Sequence, residues 1–167
     1  MKFGEQLRTS VIKEYQWYYI AYDALKEQLK TAYVTPPTRE NPKPKRKWTE
    51  EKETLFIDAL EKELEKVFDK QKIKVYEIGR RISSANSDVN DVVKRLDSRG
   101  PVSSTGAEET DAPTEEDFMM LESDLSDIIA DVHDLAKFVQ LNYTGFQKII
   151  KKHDVSSQFA LVGWMGG

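Results

Sequence analysis

Apolar residues recur every three or four positions through most of this 167-residue chain, and that period limits what it can fold into. From Phe56 the set Leu60, Leu64, Val67, Gln71, Val75, Ile78, Ile82, Ala85, Val89, Val92 and Leu96 keeps the spacing for roughly forty residues, broken in character only by Gln71. Phe118, Leu121, Leu125, Ile128, Val132, Leu135 and Val139 keep it again. Such spacing gathers side chains on one stripe of an α-helix, whereas a half-buried strand needs strict alternation, which no segment sustains. Two long seams imply helices that pack along one another. A third stripe, Leu7, Val11, Tyr15, Tyr18, Tyr22, Leu25 and Leu29, predicts an N-terminal helical hairpin. Thr9-Ser10 is the expected cap between its short first helix and longer second one. The run Trp17-Tyr18-Tyr19-Ile20 favours a strand on propensity, but the longer helical period outweighs it.

Breaks in the pattern set the boundaries. VTPPTRENPKPKRK, from Val34 to Lys47, has four prolines and a basic excess, and proline removes amide donors, so an exposed linker is expected. Thr49 followed by Glu50 and Glu51 reads as an N-cap with acids in the first helical turn. The polar run Ser83-Ser84-Ala85-Asn86-Ser87 leaves open whether one long helix or two follow. A second linker, rich in glycine, serine and acids, runs from Ser98 to Pro113. Thr114-Glu115-Glu116-Asp117 then reads as a cap for the last seam. The expected fold class is all-α: an N-terminal helical hairpin packed on a bundle of two long helices, with a short basic C-terminal helix.

Composition narrows the function. A hydrophobic fraction of 39% beside 32% charged residues fits a helical protein with much surface. The apolar runs are too short to span a bilayer and MKFGEQLRTS lacks the apolar core of a signal peptide, so no direct membrane insertion is expected. The absence of cysteine removes disulfides and thiolate chemistry. A net charge of −4 argues against nucleic acid as a partner, while leaving room for a local basic patch. No catalytic constellation assembles. His133 and His153 stand apart in the sequence and in no metal or hydrolytic signature, and His133 reads as a boundary residue beside the seam. Asp124, Asp127, Asp131 and Asp134 share a helical spacing, but acids on one helix are a solvated face more often than a metal site. No glycine-rich phosphate loop is present, so no cofactor and no enzymatic activity are expected.

Lysines carry the remaining signal. Lys148, Lys151 and Lys152 are spaced i, i+3, i+4, which puts three ammonium groups on one helical face with Cβ atoms about 5–6 Å apart. Such repulsion is relieved by a bound polyanion; a solvated face near a helix C-terminus accounts for the same residues. Tyr22 and Lys26, at i and i+4, can hold one phosphate between phenol and ammonium, or can cap the stripe and extend a lysine stem along it.

The motifs around these residues decide between the readings. KFGEQL at the start, Tyr19-Ile20-Ala21-Tyr22-Asp23-Ala24-Leu25-Lys26, Asp127-Ile128-Ile129, and NYTGFQKIIKKHD from Asn142 to Asp154 occur in order. The chain resembles an SPX domain in all of them: the second matches that family's YIxYxxLK pattern and the last its closing NxxGFxKIxKKxDK block. The resemblance spans roughly residues 1–154, with the linkers at about 34–48 and 98–113. It implies a sensor of cellular phosphate status that binds inositol hexakisphosphate or an inositol pyrophosphate. The ligand-binding residues carried over are Tyr22, Lys26 and Lys152, with Lys148 and Lys151 beside them and Lys2 contributing from the chain start. Within the family the wording is similar to the SPX domains of fungal vacuolar transporter chaperone complexes. That implies other subunits of such a complex as partners, a role in regulating polyphosphate synthesis, and a place on the cytosolic face of the vacuolar membrane. The alternative is a helical scaffold or protein-interaction module without ligand sensing.

One departure stands out. The family block continues past Asp154 with a further lysine, whereas this chain reads Val155 and then SSQFALVGWMGG. Residues 155–167 are therefore expected to be a disordered tail, the product of a truncated or misread gene with a retained intron as its source. On that reading the polymerase domain of full-length relatives is missing.

Overall fold

The computed structural model describes residues 2–31, 39, 49–98 and 112–162, with side chains described up to residue 155. Helix α1 spans Phe3–Ser10, a single 3-10 turn spans Lys13–Tyr15, and α2 spans Tyr22–Thr31. Two helices of 48 residues each follow, α3 over Glu50–Asp97 and α4 over Glu115–Val162. There is no strand among the described residues, so the all-α expectation holds. The linkers expected at 34–48 and 98–113 lie, apart from residues 39, 98, 112 and 113, outside the described residues.

Local chemistry explains most boundaries. The Thr49 hydroxyl accepts the Lys52 amide at 3.4 Å, as its N-cap role requires. Thr114 and Asp117 form a reciprocal box: the Thr114 amide donates to Asp117 Oδ2 at 2.8 Å and the Asp117 amide to Thr114 Oγ1 at 3.2 Å. This holds the Asp117 carboxyl below its ordinary range, chiefly through the Thr114 amide, against a smaller opposing cost of desolvation. Thr9 does not start a helix. Its hydroxyl donates back to the Glu5 and Gln6 carbonyls, both at 3.1 Å, and Ser10 is the last residue of α1. The serine run near residue 85 does not break α3, because Ser83 satisfies its hydroxyl on the Gly79 carbonyl at 3.0 Å within the helix. Nor does the basic stretch from Asn142 to Asp154 form a separate short helix. It continues α4, which stays helical past Val155 to Val162.

The described residues divide into two compact units. The first comprises Met1–Gln71 and Lys137–Gly167. Its core joins Tyr15, Tyr19, Ile20, Leu25, Leu29, Phe56, Val67, Phe138 and Ile149. Phe138 is wholly buried, with its ring centroid 5.1 Å from Tyr15 and 4.9 Å from Tyr19. Here the N-terminal stripe needs correction: Tyr19 is buried and Tyr18 is exposed. The chain between α1 and α2 leaves helical geometry at the 3-10 turn, so the period no longer counts evenly across it.

The second unit, Lys72–Ala136, contains a stretch of α3 and a stretch of α4. Ile78, Ala85 and Ile128 form its core with Leu135 packed against them. Arg81 pairs with Asp131, and Arg95 with Asp117 at 3.2 Å, tying one stretch to the other. Only part of each expected seam is buried, since Ile82, Leu96, Phe118, Leu125 and Val132 remain exposed. Two helices share one line of contact, so the part of each stripe that leans off that line is left exposed among the described residues.

Candidate functional site

The N-terminus of α2 is built from three helices of the first unit. Two amides precede its first hydrogen-bonded turn, and each finds a side chain from a different helix. Ile20 N–H donates to Asn142 Oδ1 of α4 at 2.7 Å, and Ala21 N–H donates to Glu63 Oε2 of α3 at 2.7 Å. Asn142 is 1% exposed and its amide nitrogen donates to the Phe138 carbonyl at 2.8 Å, so both ends of the side chain are used. Lys66 Nζ reaches the same Glu63 carboxylate at 2.6 Å. Gly145 sits one turn beyond Asn142. A Cβ there would lie 2.8 Å from Ile20 Cγ2, so this glycine lets α4 approach the chain just before α2.

These contacts place the residues singled out by sequence. Tyr22 and Lys26 lie on α2, with Tyr22 buried and Lys26 half-buried. The Tyr22 ring meets the Phe3 ring edge-to-face at 4.9 Å and 78°. Burial, and next the Asp23 carboxylate beside it, push the Tyr22 phenol upward. It therefore keeps its proton at neutral pH and can donate to an anion. Lys148, exposed on α4, places Nζ 5.6 Å from the centroid of the Phe3 ring. The structure thus brings Tyr22 and Lys148 to the same aromatic side chain.

Lys2, Lys151 and Lys152 are exposed. Lys2 immediately precedes Phe3, and Lys151 and Lys152 adjoin His153. His153 is turned onto α3: Nε2 lies 3.0 Å from Glu53 Oε2, and the ring stacks on Phe56 at 5.0 Å and 2°. Its Nδ1 is 3.4 Å from the Asp154 carboxylate. Among the described residues, none of Lys2, Lys26, Lys148, Lys151 and Lys152 forms an ion pair. One acid does stand close to α2. Asp23 packs against Gly4, where an added Cβ would meet Oδ1 at 2.8 Å, and is paired with Arg8 at 3.0 Å.

Four residues that organise this region escaped selection from sequence: Phe3, Glu63, Asn142 and His153. Phe3 and Asn142 belong to the KFG and NYTGF motifs, where the lysines drew attention because charge is the visible signal for a polyanion. Glu63 has no such mark among the many acids of α3. No group of three or more acids or histidines is placed to hold a metal ion, and no helix is long and apolar enough to cross a membrane, among the described residues.

The arrangement of α1 to α4 is the SPX-domain fold. It aligns with the SPX domain of Chaetomium thermophilum glycerophosphodiester phosphodiesterase 1, solved in complex with inositol hexakisphosphate, at a TM-score of 0.67. That likeness covers 93% of this chain and 76% of the other, at 22% sequence identity. In sequence the chain is similar to vacuolar transporter chaperone complex subunit 4 of Schizosaccharomyces pombe, 45% identical over 154 residues, which is 92% of this chain and 18% of that protein. It is also similar to subunit 2 of the same complex in Saccharomyces cerevisiae, 31% identical over 92% of this chain and 16% of that protein. A more distant relative is human solute carrier family 53 member 1, 28% identical over 92% of this chain and 24% of that protein. The chain thus spans less than a quarter of the length of these relatives. No family model matches it.

Proposed function

We infer that this chain is a phosphate-status sensing module that binds inositol polyphosphates, and preferentially inositol pyrophosphates, through Lys2, Tyr22, Lys26, Lys148, Lys151 and Lys152. The observation that carries this reading is that Lys26 of α2 and Lys148, Lys151 and Lys152 of α4 form no ion pair among the described residues, beside a protonated phenol. A ligand with six or more phosphates needs charge from several elements, and ammonium groups accept phosphate in many orientations. The related solved SPX domain holds inositol hexakisphosphate, which supports the ligand class. Similarity to two subunits of vacuolar transporter chaperone complexes supports a setting in such a complex, at the cytosolic face of the vacuolar membrane, where ligand binding regulates polyphosphate synthesis by a catalytic neighbour. The module contributes no chemistry of its own.

Titration calorimetry with inositol hexakisphosphate at near-physiological salt tests this. Saturable binding is expected, and heat no larger than a sulfate control gives would sink it. The second reading, a protein-interaction scaffold, draws on the exposed apolar strip Val93, Leu96, Phe118, Leu125 and Ile129 of the second unit. It is favoured by calorimetry that shows no ligand binding.

A further inference from the structure

Phe3 is a buried aromatic at the first position of α1, and its ring reaches both other helices that carry the proposed ligand surface. On α2 it meets the Tyr22 ring at 4.9 Å. On α4 it lies below Lys148 Nζ at 5.6 Å, and its Cε1 is 3.4 Å from the position a Cβ on Gly145 would take. Lys148 shares a helical face with Lys151 and Lys152, so repulsion favours rotamers that carry its ammonium away from theirs. The negative face of an aromatic ring within about 6 Å offers a compensating attraction. An exposed lysine otherwise samples many rotamers and must lose them when a ligand arrives.

We propose that Phe3 is a positioning residue for polyanion binding: its π face holds the Lys148 ammonium beside Tyr22 before the ligand arrives. This rests on the lysine-surface reading above and adds a residue that offers the ligand neither charge nor hydrogen bond. Phe3 thereby converts part of the ordering needed at binding into ordering already present in the folded chain. Gly145 belongs to the same device, because a side chain there would crowd both Ile20 and the Phe3 ring.

The test grades the ring's electrostatics while nearly preserving its size. Phenylalanine and its 4-fluoro, 3,5-difluoro and 3,4,5-trifluoro analogues are placed at position 3, each with Lys148 and with Lys148→Met, and titrated with inositol hexakisphosphate at fixed salt. Fluorine withdraws electron density from the ring face, so attraction for a cation fades while packing changes little. With Lys148 present, affinity should fall stepwise by about 2- to 5-fold across the series, the range a surface cation–π contact allows. With Lys148→Met it should stay flat. Phe3→Leu, checked by circular dichroism to be folded, should lose at least as much as the trifluoro chain. A series flat in both backgrounds, or equally steep in both, overturns the positioning role and leaves the ligand surface standing. Absence of saturable binding by the unsubstituted chain overturns the ligand reading itself, and the role of Phe3 with it.

Discussion

At the scale of single residues, the lysines and Asn142 make opposite demands. Lys26 and Lys152 stand on different helices and form no ion pair among the described residues, so their removal should leave the fold intact and act on ligand alone. Lys26→Ala and Lys152→Ala should each weaken inositol hexakisphosphate by roughly 10- to 100-fold, about 1.5–3 kcal/mol for a charge-assisted contact. Unchanged affinity in both, read by calorimetry, removes the cluster. Asn142 is the reverse case. Its buried side chain pairs the Ile20 amide with the Phe138 carbonyl, and Asn142→Ala strands the buried amide at a cost of about 1–3 kcal/mol. Urea unfolding should show that loss; an unchanged midpoint means that the α2 entrance is satisfied another way. The lysines were legible in the sequence because like charges at helical spacing are conspicuous. Asn142 was not, since its partner lies 122 positions away and nothing local predicts which amide a polar side chain will meet.

At the scale of elements, caps and seams were legible to different degrees. The Thr49 and Thr114 caps were readable because a cap is local, its partner three residues along. Part of each seam is exposed, since an apolar period shows which face is greasy but not how many neighbours share it. The cap of α4 also carries a pH signature. Asp117 is held below its ordinary value chiefly by the Thr114 amide, so the folded state prefers the carboxylate. Its stabilisation is present above the ordinary carboxylate pKa and is lost as pH falls through the lowered value. An acid titration of helicity should show the N-terminal turn of α4 loosening in that window, and Asp117→Asn, which keeps a side-chain acceptor but no titrating carboxyl, should remove that step. A step that persists unchanged in Asp117→Asn contradicts this assignment. A second expectation concerns ligand. If polyphosphate joins α2 to the last stretch of α4, hydrogen exchange should slow at residues 22–26 and 142–154, and much less from Phe118 to Ala136. Uniform slowing, or none, argues against a ligand that joins these two helices.

For the molecule as a whole, charge sets the terms of binding. The chain carries a net charge of −4, yet its proposed ligand is strongly anionic, so attraction must come from the local surface and be opposed by the rest. Because Lys2, Lys148, Lys151 and Lys152 are exposed, raising salt should weaken inositol hexakisphosphate steeply as the screening length contracts from about 10 Å at 0.1 M toward 3 Å at 1 M. At a hundredfold excess over its Kd the ligand should stabilise the protein by about 2.7 kcal/mol and raise its melting temperature. Affinity that barely responds to salt would assign the ligand to a buried site elsewhere. The SPX fold was legible from four motifs in order, whereas the division into two compact units was not, because both long helices run through it without a change in apolar period.

The pairing of Ile20 with Asn142 also sets a schedule. A ribosome that has just made Ile20 must add 122 further residues before the partner exists, which takes roughly 6 to 24 s at about 5–20 residues per second. Tyr15 and Tyr19 wait about as long for Phe138, and Ile20 longer still for the clearance at Gly145. Throughout that interval α2 holds Leu25 and Leu29, buried in the finished fold, without the α4 residues that belong to the same unit. The segment that begins the proposed ligand surface is the one that must be kept from its neighbours longest in a growing cell.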